Sequence, residues 1–291
     1  MFNSHYFNRT PIILIRKSRM LPFLFDILNQ LRMRTLLFII LALLFSTSAD
    51  AGEDREIGAL FARNGVSGTM VVASLHSGKT FISNVSRAEF RYPVASTFKI
   101  YNTLISLEEK AVAGKDELLK WDGHVYDFPD WNRDQTLESA FRSSCVWFYQ
   151  ELAGRVGAEK YRAYVGRSAY GELREQFNVT SFWLDGSLQI SAKEQVEFLR
   201  KVYLRTLPFS SSSYDTLRQV MLAEKTPNWS LWAKTGWAAR NTPQIGWYVG
   251  YVETADDVWF FATNIDIRTA NDLPLRQSLT REALQAKGIT E

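Results

Sequence analysis

Strand-like patterns lie at both ends of the chain, and this constrains the fold more than any other feature of the sequence. Residues 68–82 are rich in apolar and β-branched residues on both sides of a turn at 76–79, which predicts a β-hairpin. Residues 229–234, 244–253 and 258–265 are rich in aromatic and β-branched residues and are separated by turn signals. We therefore expect an α+β fold in which a mainly antiparallel sheet is built from the N- and C-terminal segments.

Helical spacing of apolar residues characterises the middle of the chain. From Ser96 to about Lys110 the apolar positions recur at intervals of three and four, so Ser96 is predicted to open a helix. Other helices are predicted at residues 136–157, 158–168, 191–205 and 275–287. Ser191 and Glu194 have the spacing of a capping box. The middle helices predict an all-helical part inserted into the sheet, with a cleft between the two parts.

The predicted organisation over residues 52–291 is one large domain or two intimately packed ones. With 46% hydrophobic residues in 291, the chain can form one large core. We expect the sheet part at about 52–90 and 211–291 and the helical part at about 91–210. The serine run at 210–213 is interpreted as a loop.

The first 51 residues have the pattern of a secretory signal peptide. Arg32 and Arg34 precede an apolar run at 36–45, and small residues ending at Ala51 provide a cleavage site. We expect translation to start at Met33, because the segment before it is unlike a short basic signal start. The apolar run is short for a membrane span, so export to the periplasm is expected. A retained membrane anchor is the alternative.

Charge and residue usage exclude several classes of function. Removing the six basic and two acidic residues of the first 51 positions from the totals of 34 and 31 leaves 28 and 29, so the remainder is nearly neutral. No basic stripe supports nucleic-acid binding. A lone Cys145 excludes an internal disulfide, and with only His76 and His124 beyond the leader we predict no metal site. Each histidine is interpreted as an ordinary loop or core residue.

Ser96 and Lys99 form an S-x-x-K motif at the start of a predicted helix. Residues three apart share a helix face, so the spacing places an amine beside a hydroxyl. A serine hydroxyl becomes a good nucleophile when a base takes its proton, and a lysine that burial has neutralised can be that base. Free backbone N–H groups at the helix start can stabilise an oxyanion. Alone, the motif also fits a capping serine and a surface lysine.

Lys234, Thr235 and Gly236 form a K-T-G motif after a strand-like segment. On an edge strand the lysine and threonine can hold a substrate carboxylate, and the glycine lets a flat substrate lie against the backbone. An ordinary turn after a strand is the alternative. S-x-x-K together with K-T-G is the signature of serine β-lactamases and penicillin-binding proteins.

A third motif, Ser144-Cys145-Val146, resembles the S-x-V of class D (oxacillinase-type) serine β-lactamases, whereas related branches carry S-D-N or S-x-N. The resemblance spans about residues 57–290. Further similar segments are P-V-A-S-T-F-K at 93–99, F-W-L-D-G at 182–186, I-G-W-Y-V-G at 245–250 and L-P-L-R at 273–276.

The resemblance implies the roles of four residues in the reaction. Ser96 would be acylated by a small-molecule β-lactam. Lys99 would carry a carboxyl group from CO2 or bicarbonate (N6-carboxylysine) and act as the base, with no other cofactor. The Trp183 indole N–H would donate to that carbamate, and Ser144 would relay a proton to the leaving nitrogen. An apolar pocket of Phe98, Val146, Trp183 and Leu184 would disfavour the ammonium form.

The remaining implied residues bind the substrate. Lys234, Thr235 and Arg276 would hold its carboxylate beside Gly236, and the backbone N–H groups of Ser96 and Trp237 would form the oxyanion hole. The other expected substrate-binding residues are Val146, Leu184 and Tyr170. Taken singly, Trp183 and Val146 are also typical of a core, and Arg276 of a surface.

One departure from the family pattern concerns the residue after Tyr170-Gly171. Class D enzymes usually have Y-G-N there, whereas this chain has Glu172. Its carboxylate either repels the substrate carboxylate or points to solvent. The short connection at 237–244, with Arg240, resembles the loop of class D enzymes that accept carbapenems.

Two alternatives to a hydrolase remain at this point. A β-lactam-sensing domain shares S-x-x-K and K-T-G but keeps its acyl adduct, and it would need membrane helices to pass on a signal. A cell-wall transpeptidase would be expected to carry S-x-N. As partners we expect a β-lactam and no nucleic acid, membrane contact only through an uncleaved leader, and a monomer or homodimer.

Overall fold

The computed structural model describes residues 52–291, so the predictions about the leader, Met33 and the cleavage site lie outside the described residues. A six-stranded sheet has the order β2-β1-β11-β10-β9-β8. Its strands are β1 (Gly68–Ser74), β2 (Thr80–Ser83), β8 (Leu222–Lys225), β9 (Trp229–Ala238), β10 (Gln244–Thr254) and β11 (Val258–Ile267). Two small sheets consist of β3 (Tyr92–Pro93), β7 (Leu188–Ile190) and β6 (Glu172–Leu173), and of β4 (Leu118–Leu119) and β5 (Gln135–Thr136).

Nine α-helices lie within residues 52–291. They are α1 (Arg55–Arg63), α2 (Val85–Glu89), α3 (Lys99–Glu108), α4 (Leu137–Ser143), α5 (Val146–Val156), α6 (Ala158–Ser168), α7 (Ala192–Tyr203), α8 (Ser211–Met221) and α9 (Leu275–Ala286). Short 3-10 turns occupy Ala95–Phe98, Pro129–Trp131 and Ala270–Asp272. None of these helices is both long enough and apolar enough to cross a bilayer.

The sheet joins the two ends of the chain, as predicted. β1 is antiparallel to β11, with Gly68 opposite Ile265 and Ser74 opposite Trp259. Both faces of β1 are buried, because Met70 and Val72 pack in one core cluster while Val71 and Ala73 pack in the other. This two-sided burial explains the unbroken apolar run at 70–73 in the middle of β1. The prediction of an α+β fold with an antiparallel sheet is confirmed.

Two core clusters lie on opposite faces of the sheet. The larger cluster includes most of the buried residues of α3 to α8, and the smaller includes those of α1 and α9. The helical part therefore covers one face, and the terminal helices cover the other. The N-terminus of α7 has the predicted capping box, in which Ser191 and Glu194 bond each other's backbone N–H.

The structure corrects three local predictions. The serine run is not a loop, because Ser210 caps helix α8, which carries the helical part past residue 210 to Met221. The helix predicted at 136–157 is two helices, because Ser144 takes a left-handed conformation with φ of 59°. The K-T-G motif does not follow its strand but lies inside β9, which continues to Ala238.

Candidate active site

Ser96 lies in the 3-10 turn Ala95–Phe98, directly before helix α3. The prediction that Ser96 opens a helix is thus correct, with a tighter first turn. Ala95 has φ of 49°, a left-handed conformation that a residue with a Cβ rarely adopts. The Thr97 hydroxyl donates to the carbonyl of Val94 at 2.6 Å and closes this turn. The nucleophile therefore sits on a strained and internally bonded segment.

Strand β9 packs directly against the Ser96 turn. A Cβ built on Gly236 would lie 3.0 Å from the Thr97 Cγ2 atom and 3.3 Å from the Thr97 nitrogen, so a side chain here would require Thr97 to shift by a few tenths of an ångström. β8 pairs with β9 no further than Trp232. Among the described strands, only β10 therefore pairs with residues Lys234–Ala238 of β9. The other edge of this part of β9 faces the Ser96 turn.

Lys99 is fully buried, and its Nζ donates to the Ser96 Oγ at 2.9 Å. Burial lowers the pKa of Lys99 to about 7, because the charged amine has lost its water. The buried Cys145 thiol gives no anionic partner, since burial raises its pKa to about 11. The Nζ atom also lies 5.2 Å from the ring centroid of Tyr149. At neutral pH a large share of Lys99 is therefore an uncharged amine.

Trp183 is fully buried behind the nucleophile turn. Its ring stacks on Phe98, with centroids 6.0 Å apart and an angle of 26° between the planes. The indole Nε1 has no hydrogen-bond acceptor among residues 52–291. A buried donor without a partner is costly, which indicates a position prepared for an additional acceptor.

Ser144 connects the S-x-V motif to the K-T-G strand. The Lys234 Nζ donates to the Ser144 Oγ at 2.8 Å and to the carbonyl oxygen of Thr235 at 3.1 Å. Burial lowers the pKa of Lys234 well below its usual range, and the charges of Lys99 and Arg276 lower it further. The chain thus brings two buried lysines into one site.

Arg276, at the start of α9, reaches the same site from the other face of the strand. Its Nη1 donates to the carbonyl oxygen of Gly236 at 2.6 Å. Its Nε is buried without an acceptor among the described residues, and burial lowers its pKa to about 10. A cavity of about 620 Å³ is lined by Lys234, Thr235 and Arg276 together with Phe141 and Arg142. Its cations are suited to an anionic group.

The other predicted residues divide into two groups. Trp237 is half-buried, and its Nε1 donates to the Gln244 side chain at 2.9 Å. Val146, the first residue of α5, is also half-buried. So is Leu184, which directly follows Trp183. These three retain surface that a substrate could touch. Tyr170 does not, because its ring is buried at 1% exposure between aromatic residues of the core. The prediction that Tyr170 contacts the substrate is therefore corrected: Tyr170 is a core residue.

Glu172 points away from the cluster of site residues. Its carboxylate is 72% exposed and pairs with Arg91 at 2.8 Å, and Arg91 also binds Glu194. Of the two expectations for this carboxylate, the structure supports a solvent-facing one.

Several supporting residues were missed from the sequence. The Trp131 Nε1 donates to the carbonyl oxygen of Ser143 at 3.0 Å, and the Trp147 Nε1 donates to that of Trp131 at 2.9 Å, so two indoles support the segment before Ser144. Gln195 is fully buried and donates to the Thr97 hydroxyl at 2.8 Å. A glutamine among apolar positions of an amphipathic helix is the one signal that could have identified it.

These contacts bring together a serine hydroxyl, a buried amine of lowered pKa and cations suited to an anion, a combination whose chemistry fits acyl transfer. Residues 67–285 match the penicillin binding protein transpeptidase domain family. The match covers most of the described residues.

Individual relatives narrow this class. The chain is 40% identical to beta-lactamase OXA-48 of Klebsiella pneumoniae over 81% of this chain and 89% of that protein. It is 37% identical to beta-lactamase OXA-20 of Pseudomonas aeruginosa over 88% and 97%. Among solved structures, the class D beta-lactamase YbXI from Nostoc is similar with a TM-score of 0.79 and 41% identity, covering 80% of this chain and 98% of that one. FUS-1 (OXA-85) from Fusobacterium nucleatum has a TM-score of 0.80 and 35% identity, covering 82% and 100%.

The chain belongs to the class D β-lactamases, as its motifs predicted.

Proposed function

We propose that this enzyme hydrolyses β-lactams through an acyl-enzyme on Ser96. The observation that carries the proposal is the 2.9 Å contact between the Ser96 hydroxyl and the buried Lys99 amine. A hydroxyl next to an amine that has lost its charge has an adjacent proton acceptor. A related chain that only senses β-lactams would form the same adduct but keep it.

We also propose that Lys99 carries a carboxyl group derived from CO2. Only an uncharged amine adds CO2, and burial lowers the pKa of Lys99 to about 7. The unpartnered Nε1 of buried Trp183 is a suitable donor to the added oxygens. A carbamate on Lys99 would supply a base for the Ser96 proton and later for the hydrolytic water.

The remaining steps use side chains of the cluster. The Ser96 Oγ attacks the lactam carbonyl carbon, and the carbonyl oxygen becomes an oxyanion, for which the backbone N–H groups of Ser96 and Trp237 are the proposed donors. When the carbon–nitrogen bond breaks, the proton that the Lys99 base took from Ser96 passes to the nitrogen through the Ser144 hydroxyl, which accepts from Lys234. A water molecule then attacks the ester carbon and gives one proton to the Lys99 base. Its hydroxyl group completes the product acid, and that proton passes to the Ser96 oxygen as the ester bond breaks.

Binding of the substrate carboxylate is proposed for Lys234, Thr235 and Arg276. Their cavity holds the cationic groups, and the Arg276 Nε is buried with no acceptor among the described residues. An incoming carboxylate would favour the charged form of Lys234, opposing the effect of burial on its pKa.

Export to the periplasm through the leader is part of the same proposal, because that is where the predicted signal would deliver the enzyme.

The test is multiple turnover of a chromogenic cephalosporin by purified residues 52–291, with Ser96→Ala as the control. We expect many product molecules per enzyme, and a mass adduct on wild type that Ser96→Ala lacks. Release of one equivalent followed by no further product would favour a sensor. No adduct at all would contradict the acyl-enzyme.

The same assay tests the state of Lys99 through pH. Because its pKa is lowered to about 7, protonation returns the ammonium below that pH, and an ammonium cannot hold CO2. We therefore expect turnover to fall as the pH drops below about 7 and added bicarbonate to restore part of it. A rate that ignores bicarbonate would contradict carboxylation.

A further inference from the structure

The strained turn that carries Ser96 has three buried polar side chains on its core side, namely Thr97, Gln195 and Tyr170. All three are at most 1% exposed. They lie on three different segments, namely the Ser96 turn, helix α7 and the connection between α6 and β6. We call them the turn-support cluster.

Thr97 is the member of the turn-support cluster that belongs to the turn itself. Its hydroxyl donates to the Val94 carbonyl at 2.6 Å and accepts from the Gln195 Nε2 at 2.8 Å. Both bonds are buried. Gln195 therefore fixes the orientation of the one hydroxyl that closes the turn around Ala95, whose φ is 49°.

Tyr170 and Gln195 each present a polar atom to the same small space. The Tyr170 hydroxyl and the Gln195 Oε1 are both buried and have no geometrically satisfactory partner among the described residues. Burial raises the pKa of Tyr170, and the nearby Thr97 and Gln195 side chains oppose that rise without forming a hydrogen bond of good geometry to its hydroxyl. A neutral tyrosine is a donor and Oε1 is an acceptor, so a small adjustment would satisfy both.

An apolar core would fill this space more easily than three polar side chains, because buried polar groups are unfavourable unless they are paired. The larger core cluster on this side is otherwise rich in aromatic residues, including Phe98, Tyr101 and Phe198 around Tyr170. The cluster therefore contributes something other than apolar packing, and among the described residues its hydrogen bonds reach the site through Thr97 in the Ser96 turn.

We infer that Gln195 is a positioning residue for the nucleophile: through the Thr97 hydroxyl it holds the strained turn in the conformation that aims Ser96 and its backbone N–H. The inference rests on the proposed function, because it assigns a role in the Ser96 acylation step. No hydrogen bond joins Gln195 to Lys99 among residues 52–291, so we assign Gln195 to the geometry of the nucleophile and not to the base. A displacement of about 1 Å at a reacting atom can slow a reaction by about 10²-fold.

The test uses the variants Gln195→Leu and Thr97→Val and their combination. Stopped-flow acylation at several concentrations of a chromogenic cephalosporin separates the dissociation constant of the encounter complex from the limiting acylation rate. We expect Gln195→Leu to lower the limiting rate by about 10- to 10²-fold with a nearly unchanged dissociation constant. The double variant should be no slower than the slower single variant, because both changes break one chain of contacts.

Thr69→Val is the matched control for Thr97→Val. Thr69 is an equally buried threonine on β1, and its hydroxyl donates to the carbonyl oxygens of Ser83 and Asn84, away from the site. We expect it to lower Tm while acylation stays at the wild-type rate. If Thr69→Val slows acylation as much as Thr97→Val at a similar loss of Tm, the effect is general destabilisation and the inference fails.

Two further readouts separate this inference from the proposed function. The carbon-13 carbamate signal of Lys99 should have the same occupancy in Gln195→Leu as in wild type; its loss would show that Gln195 acts on the base, against the inference. Acylation of Gln195→Leu at the wild-type rate would also overturn it, even with the acyl-enzyme confirmed. If wild type itself forms no adduct on Ser96, the proposed function fails first.

Discussion

Lys99 and Lys234 are both buried lysines of one site, but their surroundings differ. Lys99 lies on a helix where its amine contacts one hydroxyl and faces the Tyr149 ring. Lys234 lies on a strand, where it donates to Ser144 and to a backbone carbonyl and shares a cavity with Arg276. Burial lowers the pKa of both amines, so the distinguishing features of Lys234 are its polar partners and the cavity that it shares with a second cation, which suits an anion.

Burial alone therefore does not separate the proposed base from the proposed anion-binding group. The two lysines differ in the number of polar groups that each amine contacts. The two lysines are also coupled. The positive charge of Lys99 is one cause of the lowered pKa of Lys234. On the proposed account, carboxylation turns that charge negative, so it would raise the pKa of Lys234 and favour its ammonium form.

The largest expected effect comes from removing the base. Lys99→Ala should lower kcat/KM by about 10³-fold, because Ser96 loses its adjacent proton acceptor. Steady-state hydrolysis of a chromogenic cephalosporin measures this loss. The control is Lys193→Ala, which removes a lysine whose partner is the exposed Glu89 and should leave the rate unchanged. Near-wild-type turnover by Lys99→Ala would contradict the claim that Lys99, in contrast to Lys234, acts as the base.

Lys234→Ala should have the next largest effect, about 10²-fold in kcat/KM, because a buried charged contact to the substrate is lost. Repeating the measurement with the methyl ester of the same cephalosporin isolates the contribution of the substrate carboxylate. The ester lacks the anion, so wild type and Lys234→Ala should then differ much less. An equal loss on both substrates would indicate that Lys234 does not bind the carboxylate.

A smaller effect is expected at Trp183, which belongs to the Lys99 environment only. Trp183→Phe keeps an aromatic ring against Phe98 but removes the indole N–H. Deacylation should slow by about 10-fold, the usual consequence of losing one buried hydrogen bond, and more bicarbonate should be needed for full activity. Quenched samples analysed by mass spectrometry should show accumulated acyl-enzyme. Unchanged deacylation would separate Trp183 from the base.

The smallest effect is expected at Glu172, which lies in neither environment. Glu172→Asn breaks the exposed ion pair with Arg91, which contributes less than about 1 kcal/mol. We predict values of kcat/KM within about twofold of wild type, since a solvent-facing carboxylate does not meet the substrate. A large gain in affinity for anionic substrates would instead place Glu172 near the cavity.

The sequence predicted most of the sheet and most of the site, because both depend on local patterns. The hairpin at β1 and β2, the capping box at Ser191 and the S-x-x-K spacing are properties of neighbouring residues. Helix α8 was missed because it begins with serines of weak helical preference. In the structure, Ser210 and Ser213 donate to Glu108 of another helix, and this tertiary contact starts α8.

The errors within the site have the same origin. The sequence does not indicate which face of the Tyr170 segment is buried, because that depends on packing against Phe98 and Phe198. The role inferred for Gln195 likewise depends on its hydrogen bond to Thr97, which lies 98 positions earlier in the chain. Motifs identified the reacting groups, whereas the groups that hold them required the assembled core.

We propose that burial removes the charge of Lys99, so that its amine carries a carboxyl group derived from CO2. Carbon-13 NMR of fully active enzyme supplied with labelled bicarbonate tests this most directly. The account predicts a carbamate signal that is absent from Lys99→Ala and that fades as the pH falls below about 7. Full hydrolytic activity with no carbamate signal would contradict it.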